Sequence, residues 1–164
     1  MICPVATGHL HGNPVSDRSV YLVDTNVISA GAPSRGVSSA LVEWMDAHSA
    51  SLFLSAVTVA EIEDGIAKLR REGARRKSAD LAAWLEAVLH LYADRVLAFD
   101  VATARIAGVI SDRARGLGQS PGFADIIIGA TARQHRLTIL SRNVRHLAAL
   151  GVTVIDPFSN LPPA

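Results

Sequence analysis

The stretch SVYLVDTNVISA, residues 19–30, decides the fold. Its apolar run from Val20 to Val23 reads as a buried strand, and the run stops abruptly at Asp24-Thr25-Asn26. A carboxylate, a hydroxyl and an amide at a strand end have a plain explanation, since all three are turn and helix-capping residues. In an α/β sheet, however, the carboxyl end of a strand is also where ligands bind. Choosing between the two readings requires further carboxylates that converge on Asp24.

Working outward, four more short apolar runs read as strands: LFLS (52–55), RVLAF (95–99), LTIL (137–140) and VTVI (152–155). Helix-length segments lie between them, at 39–47, 56–73, 78–93, 100–118 and 123–135. Ser78 and Asp100 are the expected N-caps of the third and fourth, and Gly116 and Gly118 mark the end of the fourth. The last, FADIIIGATARQH, is apolar almost all round and is expected to be a central helix. Strands alternating with helices predict a parallel sheet covered on both faces, a three-layer α/β/α sandwich. No internal repeat or linker divides the chain, so residues 19–158 are read as a single domain. Residues 1–18 are read as an irregular extension and 159–164 as a tail.

Composition is permissive rather than diagnostic. Of 164 residues 49% are apolar and only 5% aromatic, so aliphatic side chains do the packing of an ordinary folded domain. A net charge of +1 gives no global reason to expect nucleic acid, so that expectation must rest on local clusters. The single cysteine, Cys3, excludes an internal disulfide and a thiolate metal site, and points to a reducing compartment. His9 and His11 read as solvated residues. The first residues lack a basic start followed by an apolar core, and no apolar run reaches the roughly eighteen residues of a membrane helix.

Phosphate-cradling motifs are absent after the first strand, so chemistry there falls to Asp24 itself. Asp125 is the next informative residue, because an acidic side chain set into FADIIIGA is expensive to bury without a partner. It is either the N-cap of a helix that starts after Pro121-Gly122 or a ligand to a cation. In TVAEIEDGI, Val59, Ile62, Ile66 and Leu69 form the apolar stripe of a helix, and Glu61 lies off it, level with Gly65. Glu63 and Asp64 compete with Glu61, and periodicity does not choose among them.

Taken together, YLVDTNVISA, SAVTVAEIEDGI, ADIIIGATARQHRLTILSRNVRHL and GVTVIDPF resemble a PIN domain, and are most similar to ribonuclease toxins of the VapC and FitB type. The resemblance runs from about Ser19 to Phe158. It implies that Asp24, Glu61 and Asp125 bind catalytic Mg2+ or Mn2+, with Thr25 and Asn26 as companions of the first. Where many PIN domains carry a fourth carboxylate, this chain has Ser141-Arg142-Asn143, and Asn143 can hydrogen-bond a bound water but adds no charge. Tight occupancy of a second metal site is therefore in question, and Asp112 is a surface-like substitute.

Magnesium prefers carboxylate and water oxygens, and three carboxylates from separate elements suit it. The resemblance implies hydrolysis of RNA leaving a 5′-phosphate, a cognate antitoxin protein as partner, a homodimer, and residence in the cytoplasm with no membrane association. Positive charge concentrates at KLRREGARRK (68–77), read either as a solvated helix end or as an RNA contact. Arg142 and Arg145 lie nearer the expected site and are preferred as phosphate contacts. Trp44 and Trp84 read as core or subunit interface. Two other classes compete: a phosphatase with Asp24 as nucleophile, which wants an acid where Asn26 stands, and a PIN-like binding module without catalysis.

Overall fold

Tyr21, Leu22 and Val23, all buried, form the first strand of a computed structural model that describes residues 19–33 and 39–163. The N-terminal extension with Cys3, His9 and His11 lies outside the described residues. Five strands make one all-parallel sheet: β1 (Tyr21–Val23), β2 (Leu52–Ser55), β3 (Val96–Leu97), β4 (Thr138–Leu140) and β5 (Val154–Ile155). Their order across the sheet is β3-β2-β1-β4-β5.

Seven α-helices accompany them among the described residues: α1 (Thr25–Ile28), α2 (Ser39–Ala47), α3 (Ala56–Arg71), α4 (Arg75–Tyr92), α5 (Val101–Gly116), α6 (Phe123–His135) and α7 (Val144–Ala148). Side-chain alternation along β1 sends Tyr21 and Val23 to one face and Leu22 to the other. The first face packs against Leu41, Ile62, Ile66 and Leu85 of α2, α3 and α4. The second packs against Ile110, Ile128 and Leu147 of α5, α6 and α7. The result is the expected three-layer sandwich. Burial on both faces explains why every strand reads as a plain apolar run. In α6 the unbroken buried stretch from Ile126 to Ala132 makes it the central helix of its layer. No helix among the described residues is long and apolar enough to cross a membrane.

Several local expectations need correction. The third strand spans two residues rather than 95–99, since Arg95 closes the preceding turn and Phe99 leaves the sheet for solvent. Ser78 is not an N-cap: α4 begins at Arg75, and the buried Ser78 hydroxyl donates to the Arg75 carbonyl at 2.8 Å. That back-bond satisfies a hydroxyl inside a helix. The basic run is not one helix end either. It straddles the turn at Gly73, where φ is +78°, between α3 and α4. Asp100 caps α5 as expected, accepting from the Thr103 N–H at 2.8 Å. Residues 159–163 do not trail away, since the Tyr21 hydroxyl donates to the Pro163 carbonyl at 3.0 Å.

Strand order places the site. The chain steps from β1 through β2 to β3, then crosses back to lay β4 on the other side of β1. Beyond the carboxyl ends of β1 and β4 the connections diverge, and a crevice opens there.

Candidate metal centre

Asp24 follows β1 directly, and its amide donates to the Leu140 carbonyl at 3.0 Å, so the backbone is still part of the sheet when the carboxylate appears. The residue is only 6% exposed. Its oxygens accept from the Thr25 N–H at 2.7 Å, the Asn26 amide at 2.6 Å and the Ser141 hydroxyl at 2.6 Å. Burial pushes the Asp24 carboxyl above its ordinary value and the nearby Asp125 charge adds to this, while the hydrogen bonds, Ser141's foremost, oppose it.

The capping explanation of Asp24 is therefore true and incomplete. It does cap α1, but that helix has four residues. One such cap does not account for a buried carboxylate fixed by three donors beside a second acid.

Asn26 ties the two strand ends together. Its amide nitrogen also reaches Ser141 Oγ at 3.1 Å, and its oxygen accepts from the Arg142 N–H at 3.0 Å. Ser141, fully buried, accepts in addition from the Asn143 N–H at 2.9 Å. On the α3 side the Thr25 hydroxyl donates to Glu61 Oε2. On the α6 side the Asn143 amide donates to Asp125 Oδ1 at 3.3 Å.

Asp24, Glu61 and Asp125, with Thr25, Asn26 and Asn143, line one cleft of about 340 Å³. No Lys, Arg or His is among its lining residues. Glu63, Asp64 and Asp112 are exposed and do not line this cleft. Asp125 is not the N-cap of α6, because Gly122 holds that position; it sits in the first turn, half-buried. Glu61 is exposed, which suits a position off the apolar stripe. A Cβ at Gly65 would meet nothing within 4 Å, so space does open beside Glu61. This space belongs to a second groove of about 500 Å³ that shares Thr25, Ser29 and Glu61 with the cleft and extends to Lys77 and Asp80.

Among the described residues, no three His, Cys, Asp or Glu side chains close into a ready-made metal cage. The shared cleft is the more informative observation, because a magnesium site does not demand such a cage: the ion keeps several of its waters. The donor set fits that ion, being hard oxygen ligands with no sulfur and no imidazole.

The two arginines are placed differently. Arg142 lays its guanidinium over the Phe158 ring, 3.9 Å from the centroid, with its backbone engaged by Asn26. Arg145 and His146 line a recess of about 630 Å³ that adjoins Asp125. Trp44 is buried, edge to face with Tyr21 and stacked on His48, as a core residue should be. Ser141 is the residue that sequence reasoning missed. A serine after a strand looks like a turn residue, and only the pairing of β4 with β1 brings it to Asp24.

Comparison with known proteins agrees with this geometry. The PIN domain family model matches residues 21–151. Toxin FitB of Neisseria gonorrhoeae is 35% identical over 140 residues, covering 85% of this chain and 99% of that protein. The VapC ribonuclease Y4jK of Sinorhizobium fredii is 33% identical over 143 residues, covering 85% and 98%. Among solved structures, the FitAcB crystal structure from Neisseria gonorrhoeae matches with a TM-score of 0.73 at 38% identity, covering 84% of this chain and 98% of that one.

Proposed function

The chain belongs to the PIN domain family, and from that membership we propose that it is a metal-dependent endoribonuclease, the toxin of a type II toxin–antitoxin pair. The observation that carries the reading is the convergence of Asp24, Glu61 and Asp125, from three separate elements, on one cleft lined without a cation. Uncompensated carboxylates facing one another repel, and a divalent cation removes that cost. Asp24, Glu61 and Asp125 would hold Mg2+ or Mn2+. When bound, the ion supplies Lewis-acid polarisation of a phosphodiester and acidifies an attacking water.

The chain's own residues prepare that chemistry. Ser141, Thr25 and Asn26 favour the ionised form of Asp24 against its burial. Thr25 and Asn143 hold Glu61 and Asp125 at the two sides of the cleft. Asn143 brings an amide where a fourth carboxylate would add charge, so three charges are available and one ion is the expected complement. Arg145, and Arg142 from its seat on Phe158, contribute positive charge for phosphate groups of RNA. Hydrolysis would leave a 5′-phosphate. A phosphatase with Asp24 as nucleophile is disfavoured, because Asn26 is committed to hydrogen bonds and carries no proton to donate as an acid.

The partner reading rests on relatives. Toxin FitB and a VapC ribonuclease are similar over nearly their whole length, and a solved neighbour is the FitAB complex on a DNA fragment, at 32% identity. A cognate antitoxin, a homodimeric state and action in the cytoplasm follow as parts of this proposal. RNA cleavage assayed in Mg2+ and in EDTA, with Asp24→Asn as control, tests it. The expected result is a metal-dependent cut giving 5′-phosphate ends that the variant lacks; metal-independent cleavage, or none by the wild type, overturns it.

A further inference from the structure

Two exposed aromatic rings stand near the Asp125 side of the cleft and take no part in the carboxylate network. Phe123 is 70% exposed and Phe99 is 39% exposed. Their rings meet edge to face, with centroids 6.4 Å apart and planes at 85°, an arrangement that leaves ring faces open to solvent. Phe123 is the first residue of α6, two before Asp125. The Asp125 carboxylate lies back over the start of the helix, where a Cβ at Gly122 would stand 3.7 Å from Oδ2.

With 3.6 residues per turn, positions two apart project to nearly opposite sides of a helix. Phe123 therefore faces away from the recess that Asp125 shares with Arg145 and His146. An apolar ring pair and a basic recess flank the acid. That alternation matches the alternation of bases and phosphates along a nucleic acid strand.

We infer that the site takes single-stranded RNA: a base beside the scissile phosphate stacks on Phe123, and a backbone phosphate on the other side of Asp125 is held by Arg145 and His146. This rests on the endoribonuclease reading and adds the strand state of the substrate. Only an unpaired base can be splayed onto a ring, because bases in an A-form duplex are stacked on one another. Stacking is tolerant of base identity, whereas the arginine fork matches phosphate oxygens. Cations in the recess also offset repulsion between the RNA backbone and the carboxylates.

The test uses the whole protein and a short RNA carrying one 2-aminopurine, single-stranded or annealed to its complement, with Ca2+ replacing Mg2+ so that binding is read without cutting. Binding of the single strand should quench the 2-aminopurine, and the duplex should bind far more weakly. Phe123→Ala should weaken single-strand binding roughly 5- to 150-fold, the range for aromatics that stack bases, and abolish the quench. Phe123→Trp should keep both, and Phe123→Leu, apolar but without a ring, should behave like Ala. Arg145→Gln should weaken binding and lower the salt slope by about 0.7, one phosphate's share.

Because Phe123 is exposed, an unchanged melting temperature in Phe123→Ala separates a lost contact from a lost fold. Equal binding of the duplex, an undisturbed Phe123→Ala, or a Leu variant as good as Trp overturns the inference, the last two leaving these rings as a surface for a protein instead. If the wild type cuts RNA in Mg2+ while Phe123→Ala binds normally, only the platform falls. If the wild type binds with quenching but cuts nothing, only the nuclease reading falls.

Discussion

Ser141→Ala removes one hydroxyl from a fully buried position and leaves the apolar packing around it intact. That hydroxyl donates to Asp24 Oδ2 at 2.6 Å and is the strongest of the hydrogen bonds that oppose the effect of burial on Asp24. A hydrogen bond to a charged group contributes about 1.5–3 kcal/mol net. For a chain of this size that corresponds to a melting-temperature loss of about 3–12 °C at neutral pH, at roughly 2–4 °C per kcal/mol.

The loss should depend on pH. Burial raises the folded-state pKa of Asp24 above the unfolded value of 3.8, so its contribution to stability is fully present below that value and fades as pH rises through the folded pKa. The substitution raises the folded pKa further. The gap between wild type and variant is therefore smallest in acid, where Asp24 is neutral in both, and widens as pH climbs through the Asp24 titration. Thermal unfolding in EDTA between pH 4 and pH 8 measures it, and the acid limb of RNA cleavage should move to higher pH in the variant. A cycle with Asp24→Asn isolates the contact, with an expected coupling of about 1–3 kcal/mol. A gap that ignores pH, or single effects that simply add, would refute the claim that Ser141 acts through the Asp24 charge.

Asp125→Asn keeps a hydrogen-bonding side chain of the same shape in the first turn of α6, so the fold should survive while RNA cleavage drops by orders of magnitude. In EDTA the variant should melt higher than the wild type, since its charge no longer opposes Asp24. Added Mg2+ should then stabilise the wild type more, by about 2.7 kcal/mol at a hundred times its Kd, and an equal response in a calorimetric titration counts against the ligand assignment. Gly129→Ala should destabilise by about 1–3 kcal/mol, because the new Cβ would sit 3.0 Å from Leu150 Cδ1 and Leu150 is buried. Gly108→Ala, with nothing within 4 Å, should instead stabilise by about 0.5–1 kcal/mol, and urea unfolding of the pair checks both signs. Thr103 holds the Asp100 carboxyl below the usual range, so Asp100 stabilises above its unfolded pKa and that contribution is lost as pH falls through the folded one. Asp100→Asn should remove this acid-side slope from urea midpoints.

Five strand positions, the sandwich and the place of Asp24 could be read from local patterns, because apolar runs and caps are written within a few residues. Strand order could not. When both faces of a sheet are buried, nothing in a run such as Thr138–Leu140 says which strand it will join. The role of Ser141 depends entirely on that pairing, so it stayed hidden although its neighbours Asn26 and Asn143 drew notice. Asp125 stood out by its chemistry against an apolar background, but its position within the helix was misjudged as a cap because Pro121-Gly122 upstream reads as a break; the break is there, and Gly122 does the capping. Ser78 was misjudged for a related reason. A serine before an apolar stripe looks the same whether it starts the helix or lies one turn inside it. The choice of Glu61 over Glu63 and Asp64 came from resemblance, and the structure sets only Glu61 beside the cleft.

The central place of β1, paired on both edges, has a consequence for how the protein can be silenced. Amides in such a strand exchange with solvent only when the whole domain opens, whereas exposed helix faces such as that of Glu61 fluctuate locally. The amide of Asp24, bonded to Leu140, should show the protection of global unfolding. A regulator therefore has no inexpensive local melting to exploit at Asp24. It must leave the fold standing and occupy the cleft from outside, so control by occlusion is built into the strand order itself.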